Sequence, residues 1–309
     1  MTFRQCAEAY IADHRAGWRS ASHASQWVNT LATYAYPVIG DLPVAAVDVG
    51  LVLKILQPIW QVKTETASRL RGRIESVLDW AAALGYRSGE NPALWRGRIA
   101  NLLTSKRKLR QVRHLPALPY GEIGAFMAAL RAQEGIAARA LELLILTAAR
   151  RSEVIGATWS EIDLPRGIWT LAAARMKGGR QHRVPLAPPA VAILEWMSAV
   201  RLSDFVFPGL RAGRPLDGRA MLDVVRRLGR KDITAHGFRS TFRSWAAEQT
   251  NYPREVCEMA LAHAARDAVE VAYQRGDLLD KRRKLMEAWA GYCAQVHATD
   301  NVIAIRPGC

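Results

Sequence analysis

The sequence predicts a mainly α protein with a small antiparallel β-sheet, divided between a helical N-terminal domain and an α+β C-terminal domain. Three observations carry this. Apolar residues recur at helical spacing through residues 1–105. A basic, proline-bearing stretch at 106–117 shows no period. Beyond it the pattern is helical again, except for one passage that alternates with period two on either side of the turn Lys177-Gly178-Gly179-Arg180.

The first helix opens at Thr2, with Gln5 three residues on, a capping-box spacing. Trp27, Leu31 and Tyr34 follow i, i+4, i+7 and predict a buried stripe, closed by Pro37. Residues 49–60 read as a short apolar helix ending near Pro58. The longest periodic run sets Leu70, Ile74, Val77, Ala81 and Leu84 on one face, with Gly85 just past its end. Arg69 and Arg73 sit off that stripe, four apart. They are candidates for phosphate contact, although a solvated face explains them equally well.

Lys106, Arg107, Lys108, Arg110 and Arg113 then precede two prolines, forming a basic linker able to lie along a nucleic-acid backbone. Residues 121–132 and 137–150 read as helices. Strand-like runs at 168–172 and 182–186 flank the KGGR turn, a β-hairpin with Lys177 at its tip. Helices return from Ala190 to about Tyr292. The last stretch is short, apolar and β-prone, and is expected either to pair with a sheet edge in a neighbour or to pair with its own domain's sheet or stay disordered. The expected division is a helical domain at 1–105, a linker at 106–117, an α+β domain at 118–298 and a tail at 299–309.

The 309 residues carry a formal net charge of +15, of which residues 1–100 contribute only +3. A surplus this large points to a polyanionic partner. A membrane surface is the competing polyanion, but no lysine-rich amphipathic terminal helix is evident, and no apolar run approaches the ~20 residues of a span. The four cysteines are scattered without a C-x-x-C pair, which fits a reducing cytoplasm and no zinc ribbon. The acidic residues are dispersed, which disfavours two-metal nuclease chemistry, and no phosphate loop ending in Lys-Ser/Thr appears. No metal or other cofactor is expected.

Phosphodiester cleavage without a metal needs charge neutralised on the phosphate oxygens, a nucleophile, and a proton for the leaving oxygen. Arginine forks can do the first, and Arg150 and Arg239 are the candidates. Lysine can do the last, and Lys177 can reach into a groove. The stretch HGFRSTFRSW sets His236 and Arg239 three apart, so both can face one anion. Taken singly, these residues mean little. A tyrosine such as Tyr273 on a helix is more often a packing aromatic, and His263 more often a satisfied buried histidine.

Together they resemble the tyrosine recombinases, in the prophage and genomic-island integrase branch. TAARRSEVIGATWSEIDL is similar to the first arginine box, which assigns Arg150 with Glu153 as its supporting acid. RMKGGRQHRVPL resembles the hairpin box, with Lys177 as the catalytic lysine. HGFRSTFRSWAAEQT resembles the His-x-x-Arg box, giving His236 and Arg239. LAHAARDAVEVAYQRGD resembles the final box, with His263 and the nucleophile Tyr273 ten residues later. Ala148 and Ala262 stand where glycine is usual, and a methyl group at 148 would shift Arg150 only slightly. Many integrases of this branch begin with a further domain that binds arm-type DNA sites, and this chain is expected to lack it.

The resemblance implies a core-binding N-terminal domain of the SAM-like type and a site-specific recombinase that cleaves and rejoins DNA through a 3′-phosphotyrosine. It implies double-stranded attachment sites as partner, a homotetramer on DNA built from monomers in solution, and an accessory directionality factor. It places the protein on DNA in a bacterial cytoplasm. Arg69, Arg73, Lys106, Arg107, Lys108 and Arg243 are the expected DNA-backbone contacts. Two other readings share the motifs or the charge: a type IB topoisomerase, and a DNA-binding protein without catalysis.

Overall fold

The computed structural model describes residues 1–18, 21–105, 109, 116–176, 178–263 and 276–296. Lys106, Arg107, Lys108, Lys177, Tyr273 and the tail at 299–309 lie outside the described residues. The chain divides into two compact units, Met1–Arg113 and His114–Cys309.

The first unit is helical. Thr2 caps the helix Phe3–His14: its hydroxyl accepts from the Gln5 N–H, and the Gln5 side chain accepts from the Thr2 N–H, a full capping box. Trp27 and Leu31 are buried and Tyr34 partly so. Pro37 does not end its element. It lies in the first turn of a further helix, Tyr36–Ile39, where its missing N–H would have had no partner. Pro58 likewise sits inside the helix Val49–Trp60, in its last turn. The helix Thr64–Ala83 buries Leu70, Ile74, Val77 and Ala81 as its spacing predicts. Leu84 falls past the helix end and is exposed, because the chain turns away at Gly85 with φ 75°.

The second unit wraps helices about a three-stranded antiparallel sheet of order β1-β2-β3: Ile162–Asp163, Ile168–Leu171 and His182–Pro185. Trp169 pairs with Val184 across β2 and β3, and Leu171 with His182. Two residues of β1 are too few to show a period, so sequence reasoning missed that strand. The core gathers around the helix Ile136–Thr147, most of it buried, with Trp169, Trp245 and Trp289 as its largest side chains. Among the described residues no helix is long and apolar enough to cross a membrane.

Candidate active site

Two arginines from different elements meet at one turn of the second unit. Arg150 caps the short helix Arg151–Ile155. Glu153 holds it twice: one carboxylate oxygen accepts from the Arg150 backbone N–H and the other from its Nη1, both at 2.7 Å. Glu153 is only 5% exposed, so its charge is matched at close range rather than left in a low-dielectric interior. Arg150 Nη2 then donates to the carbonyl of Ala262 at 3.2 Å.

Arg239 lies in the first turn of the helix Gly237–Glu248 and is buried. Its Nη1 donates to the carbonyl of Ala148, and its Nη2 to that of Leu261 at 2.5 Å. Burial first, and the charge of Arg150 second, bring its pKa down to about 10, so at neutral pH it remains a cation. His263 approaches the same Nη2 through Nε2 at 3.3 Å. His236 immediately precedes the helix. Partial burial, then the charges of Arg239, Arg150 and His263, hold its pKa below the ordinary value, so its neutral form is favoured.

Ala148 and Ala262 both adopt left-handed backbone, with φ of 49° and 48°. That conformation is ordinary for glycine and costly for alanine. In each case it ends a helix and turns a carbonyl toward an arginine. At Ala262 the turn is a Schellman closure: the His263 N–H bonds to the Glu258 carbonyl and the Ala262 N–H to that of Met259, each at 3.0 Å.

Sequence reasoning missed a second set of residues. Arg175 Nη2 crosses over Gly156 to the carbonyl of Glu153 at 2.7 Å, and its Nη1 pairs with Glu161. A Cβ on Gly156 would stand 2.8 Å from that guanidinium and would push it aside. Arg175 therefore pins the start of the hairpin turn to the helix that carries Glu153. His182 on β3 feels the charges of Arg282, Glu153 and Arg150. Burial first, and those of Arg282 and Arg150, lower its pKa to about 4. Beside it Arg183 grips Asp277 with two parallel bonds of 2.8 and 2.9 Å, and Arg282 closes on the same carboxylate at 3.1 Å. None of these contacts has a sequence signature, because each joins residues from separate elements.

The structure thus brings together Arg150, Glu153, His236, Arg239 and His263. Lys177 and Tyr273 lie outside the described residues. Arg243, expected at a DNA backbone, donates from Nε to Glu258 at 2.9 Å. In the first unit Arg69 is exposed and pairs with Glu65. Arg73 is not a surface residue: it is 6% exposed, its guanidinium bonds to the Gln26 carbonyl at 2.7 Å and to Thr30, and it lies over the Trp27 ring. Its spacing put it off the apolar stripe, but the helix Ala21–Thr30 covers that side as well. Among the described residues no group of His, Cys, Asp and Glu is arranged to hold a metal ion.

Residues 3–98 match the phage integrase central domain, and residues 117–277 match the phage integrase family. The prophage integrase IntZ of Escherichia coli is 33% identical over 305 residues, 98% of this chain and 72% of that protein. The prophage integrase IntA of the same organism is 31% identical, over 82% of this chain and 61% of its own length. Among solved structures, a lambda integrase (75–356) dimer bound to a COC′ core site has a TM-score of 0.67 at 16% identity, covering 86% of this chain and 96% of that one. The Tn1549 transposon integrase with circular intermediate DNA has a TM-score of 0.65 at 15% identity, covering 93% and 99%.

Proposed function

This chain belongs to the phage integrase family of tyrosine recombinases, and from that premise we propose which of its residues break and rejoin DNA. Its activity is site-specific recombination. Arg150 and Arg239 clamp the non-bridging oxygens of one scissile phosphate. His236 and His263 face the same group and hydrogen-bond to it or take up the proton of the nucleophile. Tyr273 attacks in line, forming a 3′-phosphotyrosine and releasing a 5′-oxygen that Lys177 protonates. The phenol of free tyrosine has a pKa of about 10, so the surrounding cations must stabilise its ionised form. The phosphotyrosyl bond conserves the energy of the broken linkage, so rejoining needs no nucleotide hydrolysis. Strand exchange takes place in a tetramer on paired double-stranded sites, assembled from monomers, with a directionality factor as accessory. Residues 1–105 serve as the core-type DNA-binding domain, and 118–298 as the catalytic domain.

One observation supports this most: two cations 89 positions apart in sequence converge on the turn Leu261–His263. Glu153 balances the charge of Arg150 alone, so the two guanidiniums together keep one surplus positive charge that an anion before the turn would neutralise. The test is a nicked suicide duplex that loses a short fragment after cleavage and so traps the covalent complex. The parent should yield a denaturation-resistant adduct mapped to Tyr273, and Tyr273→Phe should bind equally well and yield none. An adduct on the phenylalanine variant would move the nucleophile elsewhere.

A further inference from the structure

Arg243 follows Arg239 by one turn of the same helix, and the carboxylate it meets explains why. Glu258 accepts Arg243 Nε through one oxygen at 2.9 Å and His263 Nδ1 through the other at 2.6 Å. His263 Nε2 faces Arg239 Nη2 at 3.3 Å. The four side chains therefore form a chain that begins and ends on the helix Gly237–Glu248. Glu258 and His263 are five apart in sequence, a separation that does not share a helix face. They meet because the Schellman closure at Ala262 folds His263 back beside Glu258.

The donors and acceptors in this chain allow one neutral arrangement. An ionised carboxylate only accepts, so the His263 proton sits on Nδ1. Nε2 is then an acceptor, and Arg239, which only donates, points at it. Burial would raise the Glu258 pKa, but the hydrogen bonds from His263 and Arg243 outweigh it and hold the group ionised. Every link is satisfied by the next.

We propose that Glu258 and Arg243 are positioning residues for the phosphate clamp: Arg243 orients Glu258, Glu258 sets the tautomer and ring plane of His263, and His263 aligns one edge of Arg239. This replaces a DNA-backbone role for Arg243. The consequence for cleavage rests on the recombinase reading, whereas the tautomer of His263 does not.

Two measurements test it. Nitrogen-15 spectra of histidine-labelled protein, assigned with His263→Gln, should show His263 protonated on Nδ1 in the parent. In Glu258→Ala it should revert toward the Nε2-protonated form that a free imidazole prefers, and Glu258→Leu, similar in size and without an acceptor, repeats the measurement if the alanine variant does not fold. On duplex DNA, Arg243→Ala should keep the parent affinity and the parent salt dependence while single-turnover cleavage at saturating DNA falls about tenfold or more. The double variant with Glu258→Ala should be no slower than Glu258→Ala alone, because both changes break one chain. Three results would overturn the proposal: an unchanged tautomer, effects that multiply in the double variant, or a salt dependence for Arg243→Ala shallower by about 0.9 per log unit, which places that guanidinium on a phosphate. A parent that forms no covalent adduct but keeps the Nδ1 tautomer would instead count against the recombinase assignment of the site and leave the positioning chain standing.

Discussion

Arg150 donates to the carbonyl of Ala262 at 3.2 Å across 112 positions of sequence. Arg239 makes the opposite crossing, to the carbonyl of Ala148, two residues before Arg150. Each cation is braced by the turn next to the other, so neither can shift alone. The acceptors are backbone carbonyls, which places the demand on the conformation of Ala148 and Ala262 rather than on their side chains.

Relief of that conformation should stabilise the protein. Ala148→Gly and Ala262→Gly remove the left-handed penalty at the cost of a more flexible unfolded chain. Each should raise stability by about 0.5–1 kcal/mol. The denaturant midpoint should rise with no change in slope. A fall for either variant would mean that its methyl group packs more favourably than the turn is strained.

Lys177→Ala should cleave ordinary duplex slowly and a 5′-thio-substituted duplex at close to the parent rate, because a thiolate leaves without a proton. Equal impairment on both substrates would assign the lysine to binding.

Affinity for duplex should fall by about 0.9 log units per log unit of salt for each phosphate neutralised. Arg69→Ala should make that slope shallower by about one contact. Arg73→Ala should leave the slope alone and destabilise the first unit by about 1–3 kcal/mol, since it removes a buried side chain with its hydrogen bonds to Gln26 and Thr30 and its packing on Trp27. A flat salt response in the parent would contradict the reading of the +15 charge.

His182 should make the fold acid-sensitive. The unfolded chain takes up this proton near pH 6.5, and the folded one only near pH 4. Below 6.5 the unfolded state therefore binds more protons, and stability falls as pH drops toward 4, by on the order of 3 kcal/mol. His182→Gln should lose that part of the dependence. Parent and variant curves that stay parallel from pH 7 to 4 would show that His182 is not the group responsible.

Local rules were readable in the sequence and tertiary contacts were not. The capping box at Thr2 and the stripe from Leu70 to Ala81 depend on residues a few positions apart, and the hairpin around KGGR on a turn signal between two alternating runs. The motif residues Arg150, Glu153, His236, Arg239 and His263 were also legible, because their chemistry is distinctive and their order resembles a known pattern. Arg73 was misread because helical periodicity reports one apolar face and cannot show that a second helix covers the other. Glu258, Arg175 and Asp277 were missed for a related reason. Their partners lie 5, 22 and 94 positions away, separations that correspond to no helix or strand period.

The grip of Arg183 and Arg282 on Asp277 rivets two layers of the second unit together. Arg183 belongs to the strand His182–Pro185 and Arg282 to the helix Leu279–Ala294, so one carboxylate fastens the helix to the sheet. Arg282 also donates to the Arg183 carbonyl at 2.5 Å, which closes the joint from the other side. Acid that protonates Asp277 would therefore loosen a strand and a helix in one step.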